Sequence, residues 1–279
     1  MINTCESAQF QLASTRLGPH LLNMHWHADA VVGSLARWCP PIAGQALLLV
    51  DVHCRPGVAY EHMHFGKFSA QQCHVTSRYG SADIDFCAGR AQFSTNRITD
   101  VRRNCNALAL SLMVLFGATA ACHGGLALHG ATIVVDGLAH IIIGPSGAGK
   151  STLAQRFAGQ FLHDDVSLLV RTPGWQVWRQ SAYRAPQGEL AWQVPIAAVY
   201  CLESDRTCTR ADRIAPAEAC ARVAMQTIFV GGAAAPAMAA ALAALTQDVP
   251  VFGLSHALTD SVATVLRVFR NAAGARQDG

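Results

Sequence analysis

Charge is scarce in this sequence. Asp, Glu, Lys and Arg together make 14% of its 279 residues, against 51% hydrophobic. That balance excludes an intrinsically disordered chain, and at this length the fold buries most of its unfolded surface without disulfide staples. Net charge is only +3, and the densest basic spot is Arg97, Arg102 and Arg103, so the basic stripe of a nucleic-acid binder is missing. Ten cysteines are present without one C-x-x-C pair, which removes the usual frame of a structural zinc site. Free thiols in a reducing cytoplasm are expected. Cys and His gather in the first half as His25-x-His27, His53-Cys54, His62-x-His64 and Cys73-His74, at spacings that follow no metal-ligand rule. Residues 107–122 are uncharged but shorter than the ~20 residues a membrane span needs. With Ser111, Gly117 and Thr119 inside, that stretch reads as a buried helix. The start, MINTCESAQF, lacks the charged start followed by an apolar core of a signal peptide. A cytoplasmic protein that binds neither nucleic acid nor membrane is expected.

What the sequence does have is punctuation. Residues 1–105 read as strand-rich: apolar runs at 47–52, 84–86 and 91–93 are separated by Gly18-Pro19, Cys39-Pro40-Pro41 and Arg55-Pro56-Gly57. No chemical motif stands there. Residues 106–279 read as a second unit. A helix over 104–121 is followed by the β-branched run 131–135, a turn at Asp136-Gly137 and the apolar run 140–143, which together signal a hairpin. A helix from 150 to about 159, a short strand ending at His163 and strands at 166–170, 196–202 and 250–254 come next. A helix over 216–225 opens on Pro216, and the Ala-rich 233–245 reads as a packed helix. Strand, loop, helix and strand in this order predict an α/β core.

The loop in that order is GPSGAGKST, residues 144–152. Gly144, Gly149, Lys150 and Ser151 complete the Walker A pattern, with an apolar strand before it and a helix after it. Glycines let backbone N–H groups turn toward phosphate oxygens; a lysine reaches the β and γ phosphates and a Ser hydroxyl is offered to Mg²⁺. The nucleotide-binding set is therefore Gly144, Pro145, Ser146, Gly147, Ala148, Gly149, Lys150, Ser151 and Thr152. ATP and Mg²⁺ are the expected cofactors. Asp164-Asp165 falls 15 residues after Lys150, one helix and one short strand on. Two adjacent carboxylates there can divide the work, one holding Mg²⁺ and the other taking a proton from an attacking hydroxyl; a plain polar turn is the alternative. A positive charge is also needed beside a transferring phosphoryl group. Arg206, Arg210 and Arg213 follow the strand at 196–202, and Arg184 is a further candidate; each is otherwise a solvated loop arginine.

Residues 126–170, LALHGATIVVDGLAHIIIGPSGAGKSTLAQRFAGQFLHDDVSLLV, resemble the catalytic domain of the HPr kinase family. The nearer likeness is to its small relatives in gene clusters for ribosomally made peptides, including the lasso-peptide kinases. The shared pattern is His-Gly, a hairpin, the Walker A loop, a helix and Asp-Asp, here His129-Gly130, 131–143, 144–151 and Asp164-Asp165. The likeness continues more loosely through Trp178 and AAVYCLE at 197–203, as far as about residue 260. It implies the P-loop α/β domain shared with phosphoenolpyruvate carboxykinase, and transfer of the ATP γ-phosphate to a serine-type hydroxyl. It implies that Asp164 and Asp165 supply the general base and a metal contact, with Ser151 and Asp165 as the metal set. It places His129 near the transferred phosphate or the base; a satisfied buried histidine is the alternative. The Gly-rich signature that HPr kinases carry after the Asp pair, tied to phosphorylase activity and HPr docking, is absent, which points to a different acceptor. Residues 1–105 do not look like the HPr kinase N-terminal domain and are the natural place for an acceptor site.

Rival users of such a loop lack support. A transporter motor needs Leu-Ser-Gly-Gly-Gln and an apolar strand ending Asp-Glu, and a GTPase needs Asn-Lys-x-Asp; the chain has none of these. The expectation is a serine kinase of HPr-kinase type, with a peptide or protein acceptor and a homo-oligomer left open. A kinase of free serine, or a nucleotide-binding scaffold or ATPase of a peptide-maturation cluster, stays as the alternative.

Overall fold

The described residues form two sheets. The computed structural model describes residues 11–17, 20–26, 48–55, 64–68, 72–77, 80–85, 90–96, 117, 120–121, 124–157, 160–163, 166–178, 193–203, 205, 207–228, 235–257 and 259–274. Strands β1 (Gln11–Leu17), β2 (His20–Trp26), β3 (Leu48–Arg55), β4 (His64–Phe68), β5 (Gln72–Ser77), β6 (Gly80–Asp85) and β7 (Arg90–Asn96) form a seven-stranded sheet in the order β1-β2-β3-β7-β6-β5-β4. The steps β2–β3 and β3–β7 are parallel and the rest antiparallel. The register aligns Trp26, Val52, Phe93, Ala82, Val75 and Phe65 in one row, and His25, Asp51, Gln92, Asp83, His74 and Lys67 in the next. Successive rows of a pleated sheet belong to opposite faces. The sequence marks β3, β6 and β7; it does not mark β1, β2, β4 and β5, whose runs are short and broken by polar residues.

The second sheet carries the loop of interest. Gly117, Ala120 and Ala121 are helical, while the rest of the expected 104–121 helix lies outside the described residues. Gly124, at φ +66°, donates to Ala121 O, and Gly125 N donates to Ala120 O, the paired bonds that end a helix in a left-handed turn. The chain then enters β8 (Leu126–Val135), turns at Asp136-Gly137 and returns as β9 (Leu138–Ile143). Both turn residues have positive φ, 51° and 78°, the two-residue turn whose twist suits a hairpin. Next come α1 (Lys150–Gln155), β10 (Phe161–His163), β11 (Val166–Arg171), β12 (Trp175–Trp178), β13 (Gln193–Leu202), β14 (Arg210–Arg213), α2 (Pro216–Ala224), α3 (Ala235–Asp248), β15 (Val251–Ser255) and α4 (Val262–Gly274). Together β8 to β15 make an eight-stranded mixed sheet.

Strands β9, β13 and β15 run parallel side by side. Five strands also close a ring by their pairing: β8 with β9, β9 with β13, β13 with β12, β12 with β11 and β11 with β8. One face of the sheet packs on α1 and α4. Leu153, Ala154 and Phe157 meet Val265, Phe269 and Ala272 over Ala131, Ile133, Ile142, Tyr200, Phe252 and Leu254. Gly253 alternates with those last two, and a side chain there would collide with Glu203 Oε1 at 2.5 Å, a carboxylate bonded to Arg222 of α2. So α2 covers the other face, and the domain is a mixed α/β layering.

His140 is a core residue in this arrangement. It is buried, its Nδ1 lies 3.1 Å from the Tyr200 hydroxyl, and its ring stacks on Phe269 at 5.0 Å. Burial pushes its pKa down from the usual 6.5 to about 4, against a small opposing pull from Asp136. α1 is shorter than the sequence suggests: it stops at Gln155, because Phe157 N and Gln160 N bond back three residues, to Ala154 O and Phe157 O.

Candidate functional site

The chain leaves the carboxyl end of β9 at Ile143 and makes the loop 144–149 before α1. Gly144, Gly147 and Gly149 have φ of 152°, 79° and 99°, conformations that side chains of L-residues rarely adopt. A Cβ added at Gly147 or Gly149 would meet nothing within 4 Å. The demand for glycine there is conformational, and the space beside the loop is open. Pro145, Ser146, Gly147 and Thr152 are exposed, Ala148, Gly149 and Ser151 half-buried. Lys150, the first residue of α1, is buried at 7% exposure. Its Nζ donates to Gly144 O at 2.8 Å and Pro145 O at 3.0 Å. The ammonium thus lies along the loop it follows.

His129 stands one residue before Gly130 on β8, and Gly130 pairs with Ile143, the last residue before the loop. A side chain on Gly130 would meet Ile142 O at 2.7 Å and the Ile143 side chain at 2.9 Å. The glycine after His129 is therefore what lets β9 close on β8 just below the loop. His129 is half-buried, and its N–H donates to Gln226 O at 2.7 Å. Gln226 follows α2, and Thr227 bridges to Leu128. Sequence reasoning did not find this short segment, since a single bridge leaves no periodic signal.

Asp164 and Asp165 lie outside the described residues. Their flanking strands are described. His163 pairs with Thr132 and Val166 with His129, both antiparallel to β8 and at the same offset, so Gly130 and Ala131 are the β8 residues between those pairings. Flanking that stretch, Thr132 Oγ1 and Ser167 Oγ share a buried hydrogen bond of 2.6 Å.

The arginines divide. Arg206 and Arg184 lie outside the described residues. Arg213 is exposed on β14. Arg210 is engaged by Asp212 at 3.0 Å and Asp205 at 3.6 Å. A further arginine, Arg222 of α2, bonds Glu203 at 3.0 Å and Glu218 at 2.7 Å. Glu203 directly follows β13 beside the loop, since Cys201 pairs with Ile143 and a Cβ on Gly144 would lie 3.4 Å from Leu202 O. An apolar strand that ends in a single acid next to the loop strand is thus present. The signal for it was the run AAVYCL closing on Glu203.

Of the Cys and His pairs, His25, His53-Cys54, His64 and Cys73-His74 fall on β2, β3, β4 and β5; His27 and His62 lie outside the described residues. His74 Nδ1 is 2.5 Å from Asp83 Oδ1. Among the described residues no three His, Cys, Asp or Glu side chains converge on one point. Cys201 is buried, which pushes its thiol up to about 11, so it is a packed thiol rather than a nucleophile. Among the described residues no helix is long and apolar enough to cross a membrane.

No protein-family model matches the chain, and no curated protein matches it. Among solved structures, the Hpr(Ser) kinase/phosphatase from Coxiella burnetii is similar, with a TM-score of 0.30 and 12% identity over 55% of this chain and 99% of that one.

Proposed function

We propose that the chain is an ATP- and Mg²⁺-dependent kinase of the HPr-kinase type, built on a P-loop core in residues 106–279. It transfers the γ-phosphoryl group to a serine-type hydroxyl of a peptide or protein, a ribosomally made (lasso) peptide precursor being the acceptor that fits the resemblance. One observation carries the reading: the glycine loop with Lys150 laid along it leaves β9 one pairing away from His129, while the strands flanking Asp164-Asp165 run along the other side of β8. The left-handed glycines and the open space beside them fit a phosphate chain.

Bound nucleotide and metal supply the phosphoryl group and neutralise its charge. The chain's own residues do the rest. The amides of 147–151 and the Lys150 ammonium hold phosphate oxygens. Ser151 and Asp165 are the residues to hold Mg²⁺. One carboxylate of the Asp164-Asp165 pair takes the proton from the acceptor hydroxyl, and His129 orients that end of the site.

The test is mass spectrometry after mixing the protein with ATP, Mg²⁺ and, in parallel, a precursor peptide encoded beside its gene, free serine and HPr. A phosphoryl gain on the peptide that Asp165→Asn loses establishes the peptide kinase. A gain on serine alone moves the function to metabolism. No gain anywhere, with nucleotide still bound, sinks the kinase reading in favour of a scaffold.

A further inference from the structure

Three loops leave the carboxyl edge of the parallel strands: 144–149 after β9, 203–209 after β13 and 256–261 after β15. Ligands of open α/β sheets gather at that edge. A single hydrogen-bonded set ties the helix after the first loop to the other two. Arg156, the cap residue at the end of α1, donates from Nη1 to His256 Nε2 at 3.0 Å and from Nη2 to the Asp260 carbonyl. His256 is buried at 5% exposure, and its Nδ1 lies 3.1 Å from Thr209 Oγ1. The same hydroxyl oxygen accepts from Ala257 N at 3.3 Å, and Thr209 N donates to Asp260 Oδ2 at 3.0 Å. His256 N in turn donates to Asp205 O at 3.4 Å. None of these residues belongs to the proposed phosphate-holding set.

A guanidinium only donates, so His256 Nε2 must accept; the ring is then the neutral Nδ1–H form, with Nδ1 donating to Thr209. A proton on Nε2 would take away the acceptor and set two positive groups 3.0 Å apart. Among the described residues, Arg156 of α1 bonds the ring at Nε2, and Asp260, from the loop before α4, lies beside it, bonded to Thr209 N.

We propose that Arg156 and His256 are positioning residues that fasten α1, and with it the loop 144–149, to the two neighbouring edge loops, and that they do so only while the His256 ring is neutral. α1 has six residues and no side-chain cap, so little within the helix itself fixes it. Its fastening lies at its far end, on residues some 100 positions along the chain. Loss of the fastening loosens the end of the sheet where Lys150 and Ser151 sit. The bearing on nucleotide binding rests on the reading given under Proposed function; the fastening itself does not.

The experiment is amide hydrogen exchange of the full chain, followed in the peptide covering 150–157 and corrected for intrinsic rates across the range in which imidazole titrates, about pH 5.5 to 8. Wild type, Arg156→Ala, Arg156→Lys and His256→Gln are compared, with the β13 and β15 peptides as the internal measure of folding. In Arg156→Ala the α1 amides should exchange roughly tenfold faster at neutral pH with β13 and β15 unchanged. Arg156→Lys, which keeps one donor, should fall between; it carries the test if the alanine variant does not fold. Wild-type α1 should lose protection toward acid, and His256→Gln, whose amide oxygen accepts without titrating, should not. Unchanged α1 exchange in Arg156→Ala, or the same pH course in wild type and His256→Gln, overturns the proposal. Binding of mant-ATP with Mg²⁺ is read on the same samples. Exchange behaving as expected in a protein that binds no mant-ATP at any pH supports the fastening and refutes the nucleotide reading instead.

Discussion

At the scale of single residues, Gly130 and His140 show how little of a residue's task its type reveals. Gly130 reads in the sequence as half of a His-Gly pair. In the fold it is the point where β9 presses on β8, with backbone at 2.7 Å from where a Cβ would be. Gly130→Ala therefore forces the strands apart just below the 144–149 loop. It should cost about 1–3 kcal/mol in urea unfolding and weaken mant-ATP binding as well; an alanine variant as stable as wild type would show that β9 gives way freely. His140 reads as one more polar residue among apolar ones, yet it is buried against Phe269 and Tyr200. Its folded pKa of about 4 lies below the unfolded 6.5, so the unfolded chain takes up the proton first as pH falls. The stability this neutral ring contributes is full above about pH 6.5 and lost progressively down to about pH 4, on the order of 3 kcal/mol. The wild type should lose that much more stability between those limits than His140→Leu. Parallel unfolding curves for the two proteins would refute the assignment.

At the scale of elements, what the sequence shows best is what is local. The 131–143 hairpin is legible because Asp136-Gly137 is a turn signal between two β-branched or apolar runs, and the structure gives both residues the positive φ that the turn needs. Gly137→Val puts a branched side chain at φ 78° and should cost about 1–2 kcal/mol, seen as a lower urea midpoint with an unchanged slope. The loop 144–151 is legible for the same reason. By contrast β12, four residues long, and β14, exposed at Arg210, Asp212 and Arg213, exist because neighbours pair with them, not because their own pattern demands it. The stripe of Val265, Phe269 and Ala272 that makes α4 a core helix is periodic in the sequence but falls beyond the stretch that carries the family resemblance. The candidate site divides likewise. Its loop and His129 are found from the sequence. The Glu203–Arg222 pair, the Gln226 carbonyl and the Arg156–His256 contact join residues far apart in the chain, and no spacing rule reaches them.

At the scale of the whole molecule, the described residues form two sheets of different character. The first is mostly antiparallel; the second is mixed, with helices on both faces. The division expected near residue 105 lies in a stretch outside the described residues. If residues 1–105 hold the acceptor, a chain beginning at 106 should still bind mant-ATP with Mg²⁺, measured by fluorescence titration, and should modify no peptide. Peptide modification by the shortened chain would place the acceptor site in the second sheet.

The ring of five strands has a kinetic consequence. Its hairpin, β8 with β9, joins residues that are neighbours in the chain, as does the β11–β12 pair. The ring closes only when β13 comes in between them, bringing Ile196 to Ala139 and Val194 to Val177. Such distant pairings form late, after the entropy of a long loop has been given up. A ring has no free edge from which to fray, so unfolding must break β13 from two neighbours at once. Refolding of the second half should be slow relative to formation of its hairpins, and the β13 amides should be the last to gain protection and the last to lose it.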